Sequence, residues 1–255
     1  MKTMPKVAII IPHYNQSLFI GEAVSSVLGQ QYGDWECIII DDGSLPVEVE
    51  RAQQIVNNFA DPRLRWIAQP YNLGVIPTRL EGVKQSTAPY LVFLDGDDAL
   101  MPRFLSETVP LLDQNERVAY VYTQLQYFGA RHDIFISQPF NGRNLLFENF
   151  VSVTSLTRRS AFLEIGGFNM NLNRVGLEDW DLFLSMYEHG LRGSFLAKPL
   201  VRYRQDAEGK NRNQPSKVRS AEEIIKRNHP KLFGLTYYLL AKWRTLRWIL
   251  RNKRQ

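Results

Sequence analysis

Short apolar runs alternate with amphipathic stretches over the first half of the chain. Residues 7–11 and 35–40 are nearly unbroken apolar runs rich in Ile and Val, the pattern of strands covered on both faces. The first closes at Pro12 and the second at the turn Asp41-Asp42-Gly43-Ser44. Between them Ile20, Ala23, Val24, Val27 and Leu28 recur at the period of a helix. The unit then repeats: 47–59 reads as a helix, 64–68 as extended, 75–85 as a helix entered from the turn Asn72-Leu73-Gly74, and 90–94 as a buried strand. That strand ends at Asp95-Gly96-Asp97-Asp98; Pro102 then sits where a helix would begin, and 118–123 reads as a further strand. Such alternation predicts an α/β fold with a mostly parallel central sheet flanked by helices.

After Tyr127 the periodicity weakens, and to about residue 149 the chain mixes Gly, Pro, Asn and aromatic residues in the manner of irregular, ligand-shaping structure. Order returns at 153–156. A helix follows over 159–165, stopped by Gly166-Gly167, then a helix over 178–189 ended by Gly190, then an extended run over 195–204. Residues 206–223, polar and rich in Lys, Arg and Asn, read as a linker or flap. Residues 224–255 read as a basic amphipathic C-terminal helix: Leu235, Tyr238, Leu239, Trp243, Leu246, Ile249 and Leu250 share one face, with Arg244, Arg247, Arg251 and Arg254 on the other.

Charge sharpens this division. The formal net charge is +5, yet residues 224–255 hold nine Lys and Arg and no acid, so the rest of the chain carries 22 basic against 26 acidic side chains. An acidic body with a basic end argues against nucleic acid as a partner and puts any attraction for anions at one end. A basic helix bearing Trp and Tyr suits the surface of an anionic membrane through 235–254, and its apolar stripe would equally serve packing on the domain or on a second subunit, making a homodimer. No stretch reaches the roughly 18 apolar residues of a spanning helix. With Cys37 the only cysteine, no internal disulfide forms, and a reducing, cytoplasmic setting is expected, peripheral on the membrane face if the tail binds lipid.

In open α/β sheets, ligands sit beyond the carboxyl ends of the strands, and three strand ends here are polar. Pro12-His13-Tyr14-Asn15 offers a ring that can stack on a base. Asp41 and Asp42 follow a buried strand and can accept from a ring N–H or a ribose hydroxyl, although such a string also makes a plain turn. Asp95, Asp97 and Asp98 are three carboxylates within four residues, which repel one another unless a cation or a donor separates them. Mg²⁺ or Mn²⁺, held by hard oxygen ligands and bridging substrate phosphates, is the natural solution. Glu178, Asp179 and Asp181 open a helix, where acids commonly serve only as dipole partners; opposite a metal site, one of them can take a proton from an attacking hydroxyl.

The succession IIIPHYN, SSVLGQQY, ECIIIDDGS, NLGV, PYLVFLDGDD, GGF and LEDWDLFL resembles the family 2 glycosyltransferases of GT-A fold, over about residues 7–204. The resemblance implies inverting transfer of a sugar from a nucleotide-diphosphate donor to a saccharide or lipid-linked acceptor, in surface polysaccharide or glycolipid synthesis. It implies a catalytic domain over 1–205, with donor binding in about 1–100 and acceptor and catalytic parts in about 101–205. Residue by residue, it places Pro12, Tyr14, Asn15, Asp41 and Asp42 around the nucleotide base and Arg79 near the base or diphosphate. Asp95, Gly96 and Asp97 match the DxD-type motif, with Asp97 and Asp98 toward the metal. Asp179 matches the base, Glu178 supports it or meets the acceptor, and Trp180 shapes the acceptor pocket. The chain departs from the pattern at His13, Leu80, Ser185 and Gln205.

Other readings explain less. A phosphatase of the Asp-x-Asp type leaves the DDGS and EDWD strings without a role, and no glycine-rich dinucleotide or P-loop motif is present. A nucleotidyltransferase would want a glycine-rich phosphate loop near the start. A protein that kept the fold to bind or scaffold nucleotide sugars is the remaining alternative, and the intact acids argue against it.

Overall fold

The computed structural model describes residues 4–205 and 215–234, with Tyr237 and Lys242. The first half builds β1 (Val7–His13), α1 (Ser17–Leu28), β2 (Trp35–Asp41), α2 (Pro46–Asn58), β3 (Leu64–Ala68), α3 (Val75–Lys84) and β4 (Tyr90–Phe93). Then come β5 (Ala99–Leu100), α4 (Phe104–Asp113), β6 (Val118–Gly129), β7 (Ile134–Phe135), α5 (Gly142–Leu145), β8 (Leu156–Arg158) and α6 (Arg159–Glu164). A single 3-10 turn, Met170–Leu172, leads to α7 (Glu178–Glu188), β9 (Arg192–Gln205) and α8 (Pro215–Asn228).

One sheet runs through the molecule in the order β3-β2-β1-β4-β8-β6-β9-β5, with β7 beside β6. The four leading strands are parallel, so their carboxyl ends open on one edge. Beyond them the sheet is mixed: β8 runs antiparallel to both β4 and β6, whereas β6 and β9 form a long parallel ladder. Along β1 the side chains alternate between two cores. Ala8 and Ile10 join Leu91, Phe93 and Phe183 on one face; Val7, Ile9 and Ile11 join Val24, Cys37 and Phe104 on the other. This double coverage is why the first strands read as unbroken apolar runs. Helix α3 lies so close to β1 that a Cβ on Gly82 would stand 2.4 Å from Ile10 Cγ2.

Two expectations need correction. The strand expected over 118–123 continues to Gly129, because Leu125 and Tyr127 pair with Val201 and Tyr203 of β9 while Gln124 and Gln126 stay half-buried between them. Polar residues on a half-covered strand hide its apolar alternation. The linker expected over 206–223 is helical from Pro215, and the helix expected from 224 breaks at His229 after α8. Pro215 suits a first helical turn, and Ala221 and Ile225, one turn apart, are fully buried against the body. Of the amphipathic tail expected over 235–254, only Tyr237 and Lys242 fall among the described residues; Tyr237 stacks on Phe147 at 5.2 Å.

Candidate active site

The carboxyl ends of β1, β2 and β4 and the start of α7 enclose an open cleft of about 500 Å³. At the end of β1, Pro12 and Tyr14 line it, Tyr14 with its ring half exposed. Between them His13, almost fully buried, also borders the cleft, and its Nδ1 lies 2.8 Å from Asp41 Oδ1. Burial pushes the Asp41 carboxyl upward, but hydrogen bonds from His13 and Ser44 overcome this and hold it below the usual carboxylate range. Asn15, at φ 51°, accepts from the Leu45 amide at 2.9 Å, and its own amide donates to Ser44 Oγ. Asp41 and Asn15 therefore tie two strand-end loops together beside the cleft and are not among the residues that line it.

Asp42 lines the cleft with its oxygens engaged: the Leu73 amide (2.7 Å), the Gly74 amide (2.9 Å) and Asn72 Nδ2 (2.8 Å) all donate to it. The carboxylate thereby fixes the turn that starts α3. Gly43, at φ 67°, permits the contact, since a Cβ there would meet the Tyr71 carbonyl carbon at 2.3 Å.

Arg79, on α3, is 2% exposed and bridges the two halves of the cleft. One terminal nitrogen donates to Asp95 Oδ1 at 2.6 Å, the other to Glu178 Oε1 at 2.7 Å. Burial alone would weaken its charge, but the two carboxylates outweigh that and keep the guanidinium ionised. Asp95, Gly96 and Asp97 line the cleft; Gly96 lies near enough to β1 that a Cβ would stand 3.2 Å from the Pro12 carbonyl oxygen. Asp98 turns inward, buried, and accepts the Arg204 amide at 2.8 Å. Burial, then the charges of Asp95 and Asp97, push its carboxyl well above the usual range.

Among the described residues no three His, Cys, Asp or Glu side chains form a ready-made metal cage. The donor chemistry nevertheless fits Mg²⁺ or Mn²⁺, which are commonly held by one or two carboxylates with substrate phosphates completing the shell. The excess negative charge that lifts Asp98 is the kind a divalent cation relieves.

Helix α7 begins after Leu177, itself in the left-handed region at φ 61°. Glu178 lines the cleft; Asp179 sits half-buried behind it, accepting from the Trp180 amide at 2.8 Å and from the Asn149 side chain. Burial first, then the charge of Glu178, push its carboxyl up to about 7. Trp180 faces the core and donates from its indole to the Leu145 carbonyl at 2.6 Å. It joins α7 to α5 and is not among the residues that line this cleft.

The structure thus gathers Pro12, Tyr14, Asp42, Arg79, Asp95, Gly96, Asp97 and Glu178 around one cleft, and Asn15, Asp41, Asp98, Asp179 and Trp180 are not among the residues that line it. It also adds residues given no ligand role from sequence: Asn72, Arg174 and Tyr203 line the cleft, and Asn149 holds Asp179. Tyr203 reaches it through the β6–β9 register, packed edge-on against Tyr127 at 6.0 Å, and no local pattern marks such a pairing.

Residues 8–172 match the family model described as Glycosyl transferase family 2. A putative glycosyltransferase of Bacillus subtilis strain 168, EpsE, is 30% identical over 214 residues, 82% of this chain and 76% of the relative. A putative colanic acid biosynthesis glycosyl transferase of Escherichia coli K12, WcaA, is 26% identical over 239 residues, 91% of this chain and 76% of the relative. Among solved structures, S. aureus TarS 1-349 in complex with UDP aligns at a TM-score of 0.69 and 19% identity, over 86% of this chain and 64% of that one. The mannosyltransferase PcManGT of Pyrobaculum calidifontis, in complex with GDP-Man and Mn²⁺, aligns at 0.61 and 18%, over 79% and 57%. The chain spans less than two thirds of either solved chain, and at these identities the likeness speaks to the fold: a curled α/β sheet with flanking helices, as in GT-A glycosyltransferases.

Proposed function

The chain belongs to glycosyl transferase family 2, and from that premise we propose that it moves a hexose from a nucleoside-diphosphate donor to an acceptor hydroxyl with inversion at the anomeric carbon. The observation that carries the reading is the junction made by Arg79, which holds the acids after β4 and the start of α7 against the two sides of one cleft. A diphosphate beside Asp95 and Asp97 would then lie across the cleft from Glu178 and Asp179.

In this reading Tyr14 and the Asp42 loop receive the nucleotide, and Arg79 balances the acids on both walls. Asp97, supported by Asp98, would hold Mg²⁺ or Mn²⁺, whose charge neutralises a leaving diphosphate. Asp179, with its carboxyl near 7, takes the proton of the attacking hydroxyl, and a single in-line displacement inverts the centre. Glu178 sets the charge around that base through its own carboxylate and through Arg79. The acceptor is a saccharide or a lipid-linked sugar, and the basic stretch 235–254 would bring the cleft to the anionic cytoplasmic face of a membrane. The colanic acid biosynthesis named for the relative WcaA agrees with a surface-glycan product.

The test is turnover of UDP-GlcNAc and GDP-mannose, read as nucleotide release with Mn²⁺, by the wild type, Asp97→Asn and Asp179→Asn. Release that both substitutions abolish, and that EDTA abolishes, supports the assignment. Release that survives in Asp179→Asn contradicts the base; release indifferent to EDTA contradicts the metal.

A further inference from the structure

The junction of α8 with α7 holds a buried histidine that the proposed chemistry does not use. His229 follows α8 and is almost fully buried. Its Nδ1 lies 2.8 Å from Glu188 Oε2 and its Nε2 lies 3.2 Å from Asp181 Oδ1. A neutral imidazole has one N–H, so it can donate to only one of these carboxylates; the imidazolium donates to both. Asp181 is buried as well, and the Asn228 side chain adds an amide at 3.1 Å. Asn169, which caps the 3-10 turn, contributes only its neutral amide, 3.5 Å from the same oxygen. The carboxylates that face the ring are thus Asp181 and Glu188, both from α7; the nearby basic residues of α8, Lys226 and Arg227, are exposed.

Asp181 and Glu188 are seven residues apart, two turns along the same face of α7. By helical geometry Glu178 projects about 60° around the axis from Asp181 and Asp179 about 200°, so a grip on Asp181 fixes the rotation on which both directions depend. We infer that His229 is a positioning residue for catalysis: held as a cation between Asp181 and Glu188, it fixes the rotation and depth of α7 and hence the aim of Glu178 and Asp179. This rests on Asp179 being the base. Burial works against the cation, but the hydrogen bonds from the ring to Asp181 and Glu188 outweigh it and raise the value above 6.5. The clamp is therefore complete below that value and is lost as pH rises through it, giving kcat an alkaline limb that belongs to His229.

The full chain tests this in three forms: wild type, His229→Gln, and Asp181→Asn/His229→Gln. Nucleotide release from UDP-GlcNAc and GDP-mannose with Mn²⁺ gives kcat and KM across pH, thermal unfolding gives the folded fraction, and NMR titration of the His229 ring protons gives its pKa directly. His229→Gln is expected to lower kcat roughly ten- to a hundredfold, as misaimed catalytic groups do, with KM for the donor within about twofold and no alkaline limb of the wild-type kind. The double variant, which leaves no unpaired buried carboxylate at position 181, is expected to recover part of that loss. A kcat equal to the wild type's, or a loss matched entirely by unfolded protein, overturns the proposal, as does a ring that titrates at or below 6.5. Should His229→Gln not fold, Asp181→Asn/Glu188→Gln keeps the ring, removes both its partners, and is expected to show the same kcat loss. A wild type that releases neither nucleotide contradicts the transferase reading instead, and the ring titration then decides the clamp by itself.

Discussion

Asp179 carries two opposing demands on one carboxyl. Burial and the neighbouring Glu178 lift it from its ordinary 3.8 to about 7, so it is protonated in acid and becomes a base only as pH rises through that value. In His229→Gln, where no alkaline limb from the clamp intervenes, kcat is expected to climb across this interval, and a profile flat from pH 6 to 8 there would deny Asp179 the role. The sign for stability is the reverse. An acid whose folded value exceeds its unfolded one binds its proton more tightly when folded, so its contribution is present below about 4 and is lost as pH rises to 7. Asp179→Asn is therefore expected to be inactive yet to melt at a higher temperature than the wild type at pH 8. Trp180 gives the contrasting case. Trp180→Phe strands the buried Leu145 carbonyl and is expected to destabilise by about 1–3 kcal/mol in urea unfolding, with KM for an acceptor unchanged because the ring lies outside the cleft. The strings DGDD and EDWD disclosed which residue types gather here, but not which of them face the ligand. Asp41 and Asn15 each adjoin a residue that lines the cleft, and their hydrogen bonds to His13 and Leu45 turn them into the loops, whereas Asp42 holds a loop and lines the cleft at once.

At the scale of elements, the strand–helix alternation of the first half was legible because β1, β2 and β4 are buried on both faces and each helix on one. The packing of α3 on β1 tests that coverage: Gly82→Ala puts a Cβ into Ile10 and is expected to destabilise by about 1–3 kcal/mol, seen as a lower urea midpoint with an unchanged slope. The second half was less legible for physical reasons. The later part of β6 is half-covered, so Gln124 and Gln126 alternate with apolar residues and mask the strand. Helix α8 is polar on most of its surface and buries only Ala221 and Ile225, too short a stripe to stand out in a Lys- and Arg-rich stretch. Its seat depends on His229 reaching Asp181, 48 residues away in sequence, a distance no local pattern spans.

For the molecule as a whole, the parallel β3-β2-β1-β4 half supplies one wall of the cleft, and β9 of the mixed half with α7 supplies the opposite wall. Arg79 joins them. Because the acids after β4 crowd one another, a nucleotide and a divalent cation held there as proposed would be expected to bind together, the cation offsetting the charge of the acids. Calorimetric titration of UDP and GDP into the full chain, each with and without Mn²⁺, with Asp97→Asn as the control, tests this most directly. The expected result is binding of one of the two nucleotides that strengthens at least tenfold with Mn²⁺ and loses that gain in Asp97→Asn. Binding of neither, or binding that Mn²⁺ leaves unchanged, would contradict a metal-assisted nucleotide-sugar site in this cleft.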